Sequence, residues 1–197
     1  PGDLAIDYAV DLEPEDWLER VRGVDAVINA VGIIVERGTQ TFARMHTQAP
    51  IALFTACASA GVRHVVQISA LGAQSRDTPY FASKCEADEF LLSRGGNVTA
   101  HVVRPALVYG AAGTSARLFR TLASLPVHVL PGGGSQRLRP VHIDDLCDLV
   151  ARLLASDSDA APACIAAVGA TQLTYREMLR TYRAAMGLRP AFSIGIP

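Results

Sequence analysis

Three short runs rich in β-branched residues, at 24–31, 64–69 and 99–104, alternate with two stretches of helical period at about 40–60 and 80–94. Strand, helix, strand, helix, strand is the order of βαβ units, so the strands are expected to lie parallel in one sheet wrapped by helices. The first run, Val24-Asp-Ala-Val-Ile-Asn-Ala-Val31, opens after Gly23 and is mostly apolar, as a strand buried on both faces should be. Thr78-Pro79 is a start signal for the second helix. Gly61 and Gly95 sit just past the two helical runs, where a C-terminal cap takes φ > 0. Pro50 lacks a backbone donor, which predicts a kink or a restart inside the first helix.

The last third reads differently. Gly132-Gly-Gly134 is a turn, a helix begins at Asp144-Asp145 with Asp144 as N-cap and runs to about Leu154, and a short strand follows near 163–168. A last helix spans 174–186, where Thr174-Tyr-Arg-Glu177 fits a capping box.

Composition narrows the function. Half of the 197 residues are apolar, too many for a disordered chain. A net charge of -1 argues against a nucleic-acid partner, which needs a basic face, and gives no reason to invoke an anionic membrane surface. No uncharged apolar run reaches the roughly 18–20 residues of a membrane-inserted helix. Cys57, Cys85, Cys147 and Cys164 are dispersed without metal-ligand spacing. They read as small buried hydrophobes in a reducing, cytoplasmic setting, and no metal site is expected.

Chemistry concentrates in Tyr80-Phe-Ala-Ser-Lys84. Residues i and i+4 share a helix face, so phenol and ammonium can reach one pocket, where the cation would lower the phenol's pKa. Such a phenol suits proton transfer to or from an alcohol while hydride moves elsewhere. Ser69, Asn29-Ala-Val-Gly32 and Arg104-Pro-Ala-Leu-Val-Tyr-Gly110 end three successive strands, the rim where α/β sheets bind ligands. Gly32 would let backbone approach a flat ligand.

These motifs, with Ser69-Ala-Leu-Gly-Ala73 and Arg139-Pro-Val-His-Ile-Asp-Asp145, resemble the short-chain dehydrogenase/reductases, in their extended and atypical branch. Bacterial proteins similar to the nucleotide-binding accessory subunit of respiratory complex I share this pattern. The resemblance implies an α/β, Rossmann-like, doubly wound parallel sheet with a small C-terminal substrate lobe. Residues 1–125 would form an incomplete NAD(P)-binding domain and 126–197 mostly the lobe, with 140–155 packing back on the first domain. It implies NAD or NADP as cofactor, NADP slightly favoured, and a small-molecule substrate, and leaves an oligomer open. Tyr80 would be the acid/base, Lys84 would bind the nicotinamide ribose and tune Tyr80, and Ser69 would orient the substrate carbonyl. Asn29, Ala30, Val31 and Gly32 would line the cofactor, and Pro105 and Ala106 would lie beside the nicotinamide. Asp7 and Asp11 compete to meet the adenine.

Two departures stand out. The loop G-x-x-G-x-x-G that holds the pyrophosphate is missing, so about 30 residues or more are expected upstream, and further residues after Pro197. His46 stands where many active members place an Asn that supports a proton relay. The leading expectation is therefore an NAD(P)-dependent oxidoreductase, with a non-catalytic NADP(H) sensor or assembly protein as the alternative. A sugar-nucleotide epimerase or dehydratase ranks third, because the lobe after Pro140 looks small. Bland readings are preferred elsewhere: Arg137 and Arg139 as a solvated rim, Trp17 as packing, and His101 as a satisfied structural histidine.

Overall fold

In a computed structural model describing residues 3–94, 98–111, 113–155 and 162–197, the alternating pattern becomes α1 (Pro14–Val21), β1 (Ala26–Asn29), α2 (Ala49–Ala60), β2 (His64–Ile68), α3 (Pro79–Ser93) and β3 (Thr99–Pro105). There follow β4 (Val108–Tyr109), α4 (Thr114–Ser124), β5 (Val127–Pro131), β6 (Arg137–Leu138), β7 (Val141–His142) and α5 (Ile143–Leu154). β8 (Ala163–Ala167), β9 (Leu173–Thr174), α6 (Tyr175–Ala185) and β10 (Phe192–Ile196) complete the chain. Two compact units result: Pro1–Pro105 with Leu149–Ala166, and Ala106–Asp148 with Ala167–Pro197.

In the first unit β1, β2 and β3 pair in parallel, Ala26 opposite His64 and His64 opposite Thr99, within a sheet of order β1-β2-β3-β8. The fold is thus α/β and Rossmann-like, with a parallel central sheet. On α2, Ala49, Ala52, Leu53, Ala56 and Cys57 are buried at i, i+3, i+4, i+7 and i+8, the stripe of a helix lying on a core. Together with Phe54 of the same helix, it packs with Trp17 and Val21 of α1, Leu91 of α3, and Val65, Ala100 and Val102 of the sheet. Burying each large side chain stabilises by about 1.5–3 kcal/mol. Trp17 packs as expected, and its indole N–H donates to the Asp11 carbonyl at 3.0 Å.

Helix boundaries follow local chemistry. Thr78 caps α3 by accepting from Phe81 N–H at 3.2 Å, and Gly61 ends α2 at φ 76°. Gly95 lies outside the described residues. The interruption expected from Pro50 takes the form of a π-helical turn, Ala43–Gln48, before α-helical bonding resumes at Ala49. That wider turn brings Met45, His46 and Thr47 into the interior.

Four expectations change. Among the described residues β1 pairs with β2 alone, and Ile28 is 48% exposed, so the strand is not buried on both faces. Asp144 is not the N-cap of α5: the helix starts at Ile143, and His142 Nδ1 accepts from Asp144 N–H at 3.3 Å. Cys147 and Cys164 are exposed, unlike Cys57 and Cys85, so only two of the four serve as core hydrophobes. His101 is buried with Nδ1 unpartnered among the described residues, so it is not fully satisfied.

In the second unit α4 and α6 enclose Ala123, Leu130 and Leu179, with Phe119, Tyr175 and Tyr182 packed around them. The capping box at Thr174 forms, Glu177 N–H donating to Thr174 Oγ1 at 3.1 Å and Thr174 N–H to Glu177 Oε2 at 2.7 Å. No helix among the described residues is long and apolar enough to cross a membrane.

Candidate active site

The carboxyl ends of β1 and β2 meet α3 at Lys84, the single lysine among 18 basic residues. Its side chain is buried, and Nζ donates to the carbonyls of Val31 at 3.1 Å and Ile68 at 3.3 Å. An ammonium has three donors, so one remains for a ligand. Burial lowers the lysine pKa to about 8, with Asp88 opposing the shift. A Cβ on Gly32 would lie 3.0 Å from Lys84 Nζ, so glycine is needed there for close approach rather than for an unusual φ.

His46 braces the same turn from the π-helical segment. Ile33 N–H donates to Nε2 at 2.9 Å, and Nδ1 lies 3.0 Å from Ser83 Oγ. Ser83 Oγ itself donates to the Tyr80 carbonyl at 2.9 Å, so the imidazole must supply the proton of the His46–Ser83 bond. These bonds assign the neutral Nδ1–H tautomer. Burial and the nearby Lys84 charge push the His46 pKa down to about 3.

Tyr80 packs edge-on against His46, Phe42 and Phe81, with centroids 5.3, 5.9 and 5.3 Å apart. Its hydroxyl makes no hydrogen bond with a described residue, and burial raises its pKa. The expected lowering by Lys84 is therefore overturned in this geometry, because the ammonium is directed to two backbone carbonyls. Ser69 Oγ donates to Asp88 Oδ2 at 2.7 Å, and the same oxygen accepts from Arg104 Nε at 2.9 Å. With its proton directed inward, the Ser69 hydroxyl offers lone pairs outward. Asp88 is fully buried and its other oxygen has no partner among the described residues, so burial raises its pKa.

Asn29 is buried at the end of β1, accepting from Tyr8 Oη at 2.9 Å and Val31 N–H at 3.2 Å and donating to Gln67 Oε1 at 2.7 Å. It shapes the Ala30-Val31-Gly32 turn by local bonds. Pro105 ends β3, its carbonyl accepting from Leu71 N–H at 2.9 Å, while Ala106 begins the second unit. Asp11 is engaged by Arg20 at 2.6 Å, which lowers its pKa, whereas one oxygen of Asp7 accepts from Ala9 N–H at 2.9 Å and the other takes no bond from a described residue. Sequence reasoning named Ser69, Tyr80, Lys84 and Gly32 but missed Asp88, Ser83 and Gln67. Asp88 was findable: it lies four residues beyond Lys84, continuing the Tyr80–Lys84 helix stripe.

Parallel strands ending in this lysine-centred rim define a Rossmann-like protein of the nucleotide-binding kind. The sequence model of the NAD dependent epimerase/dehydratase family matches residues 6–169, and the chain belongs to that family. No curated protein sequence matches it. The dTDP-glucose 4,6-dehydratase DesIV from Streptomyces venezuelae, as a double mutant with NAD bound, is similar at 25% identity and TM-score 0.77, over 98% of this chain and 66% of that one. MoeE5 in complex with UDP-glucuronic acid and NAD superposes at 20% identity and TM-score 0.76, over 93% and 70%. UDP-N-acetylglucosamine 4-epimerase from Bacillus cereus does so at 19% and 0.76, over 98% and 72%. This chain therefore spans about two thirds of the DesIV chain.

Proposed function

We propose that this chain is an NAD(P)-dependent enzyme acting on a nucleotide-activated sugar, by transient oxidation at a sugar carbon as an epimerase or dehydratase. The observation that carries the reading is the buried Lys84 ammonium, tied to two strand-end carbonyls with one donor left. That residual donor and the bare Gly32 surface beside it fit the ribose hydroxyls next to a nicotinamide. When bound, the dinucleotide supplies the acceptor and donor of hydride.

The chain's own groups handle the proton and the placement. Tyr80 would act as a phenolate, its own proton first passed to solvent, and would then take the proton from a sugar hydroxyl, with the Lys84 charge stabilising the phenolate once substrate excludes water. Ser69, its own proton directed to Asp88, would accept a hydrogen bond from a neighbouring hydroxyl of the sugar. The second unit carries eight arginines and no lysine against four carboxylates, a cationic setting for a diphosphate. This supports the epimerase or dehydratase reading over a general carbonyl reductase.

A second reading has its own support. His46 has both ring nitrogens committed to Ile33 and Ser83, which leaves neither for a proton relay. An NADP(H)-binding protein without turnover, similar to the accessory subunit of respiratory complex I, would show this pattern.

Two variants separate the cases. Gly32→Ala should displace the ammonium and weaken NADH or NADPH binding by about tenfold, with the melting curve little changed. Tyr80→Phe should retain that binding but lose more than about a hundredfold of turnover on a panel of UDP- and dTDP-sugars. Wild-type binding without turnover on the panel would favour the binder. No saturable dinucleotide binding would overturn both.

A further inference from the structure

Helix α3 grips the end of β2 at two successive residues. Lys84 Nζ donates to the Ile68 carbonyl at 3.3 Å, and one turn further along the helix Asp88 Oδ2 accepts from Ser69 Oγ at 2.7 Å. The Ser69 backbone is fixed as well, its N–H donating to the Val103 carbonyl at 2.7 Å. From β3, Arg104 Nε donates to the same Asp88 oxygen at 2.9 Å, while Arg104 Nη1 reaches Gln74 Oε1 at 3.3 Å. Asp88 is fully buried and joins α3, β2 and β3 through one oxygen.

This arrangement fixes the direction of a proton. A serine hydroxyl has one proton and two lone pairs. Oδ2 accepts from both Ser69 and Arg104, so the Ser69 proton points inward and its lone pairs face the rim. A proton taken up by Asp88 would settle on Oδ1, which has no partner among the described residues, and would leave the Ser69 bond in place. The arrangement also balances charge. A buried carboxylate needs a cation beside it. Arg104 is in contact, and Lys84, one helical turn away, adds to the pull that favours the carboxylate; Asp88 in return opposes loss of the Lys84 proton.

We propose that Asp88 is the positioning residue of this rim, fixing Ser69 as an acceptor toward substrate and supplying the countercharge that keeps the Lys84 ammonium a donor toward the dinucleotide. The proposal rests on the reading above for what Ser69 and Lys84 meet, and not for the arrangement itself. An acceptor-only serine favours a hydroxyl at that position over a carbonyl, which has no proton to give.

The single lysine makes the test direct. In Asp88→Asn, Arg104 Nε turns the amide so that its carbonyl oxygen replaces Oδ2; both hydrogen bonds stay and the charge goes. In the ¹³C-lysine-labelled whole chain without dinucleotide, the Lys84 Cε midpoint should fall about one pH unit below that of the wild type. His46 and Tyr80, the titratable neighbours of Lys84 across the site, stay neutral in this range, since burial holds the imidazole pKa at about 3 and raises that of the phenol. NADH affinity of Asp88→Asn should then drop about threefold at pH 7.5 but less than about twofold at pH 6, where Lys84 is charged in both proteins. An unchanged Lys84 midpoint in the folded variant, or a loss of NADH affinity as large at pH 6 as at pH 7.5, would overturn the proposal. If Asp88→Asn does not fold, the wild type decides. In equal H₂O and D₂O, Ser69 Cβ should give two isotope-shifted lines, because a hydroxyl proton held by a buried carboxylate exchanges slowly. One averaged line would overturn the assignment of Ser69. Absence of NADH binding by the wild type counts against the reading above, while the Lys84 midpoint and the Ser69 lines still decide the role of Asp88.

Discussion

Lowering the pH from 6.5 to 3 should remove on the order of 4–5 kcal/mol of folding stability through His46 alone. Its pKa is pushed down to about 3 in the folded chain from an ordinary value of 6.5. Between those values the unfolded chain takes up a proton that the folded chain refuses. The contribution is therefore complete above pH 6.5 and lost as the pH falls toward 3. The cause is geometric, since the imidazole is fully buried with Nε2 occupied by Ile33 N–H, near a lysine charge.

His46→Asn should be less stable than wild type at pH 7 by about 1–2 kcal/mol, for lost hydrogen bonds. The order should reverse between about pH 5 and 6 and be clear by about pH 4, because the variant has no imidazole to protonate. Urea unfolding of both proteins across this range measures the difference. Parallel stability curves would refute the placement of His46. ¹⁵N spectra of the wild type should show the neutral Nδ1–H tautomer down to about pH 4.

Lys84→Met carries the second large effect, with opposite signs for stability and binding. The lysine's folded pKa of about 8 lies below its ordinary 10.5. Across that window the unfolded chain holds the proton and the folded chain releases it, so stability rises with pH, by about 3 kcal/mol from this group. Below pH 8 the buried charge is present and opposes folding; Lys84→Met lacks both the burden and the rise. The same variant should lose about a hundredfold in NADH or NADPH affinity, the scale of a charge-assisted hydrogen bond in a buried site. Because the chain has one lysine, ¹³C-lysine labelling yields a single side-chain Cε signal whose titration midpoint should fall near 8. A midpoint near 10.5 would mean that the ammonium is not buried between Val31 and Ile68.

Much of the fold was legible because the signals were local. β-branched runs, Thr78-Pro79, Gly61 and the Thr174–Glu177 box act within a turn or two of chain, and the elements they predict formed. The α5 cap was misassigned for the same reason: one residue of helix start turned Asp144 from a cap into a first-turn residue and gave the cap to His142. Of the site, Tyr80 and Lys84 were readable from their i, i+4 spacing and Ser69 from its strand end.

How those groups are spent was a different matter. Lys84 bonds to Val31 across 53 residues, Ser69 to Asp88 across 19, and His46 to Ser83 across 37. Spacing placed a lysine and a phenol on one helix face; it had no access to the two carbonyls that draw the ammonium aside. The pKa of Tyr80 therefore moves up with burial instead of down with charge. Periodicity and capping are properties of neighbours in sequence, and they suffice for parallel strands, helices and a strand-end rim. Burial, tautomer and proton direction belong to groups brought together from distant segments, and they exist only once the chain has folded.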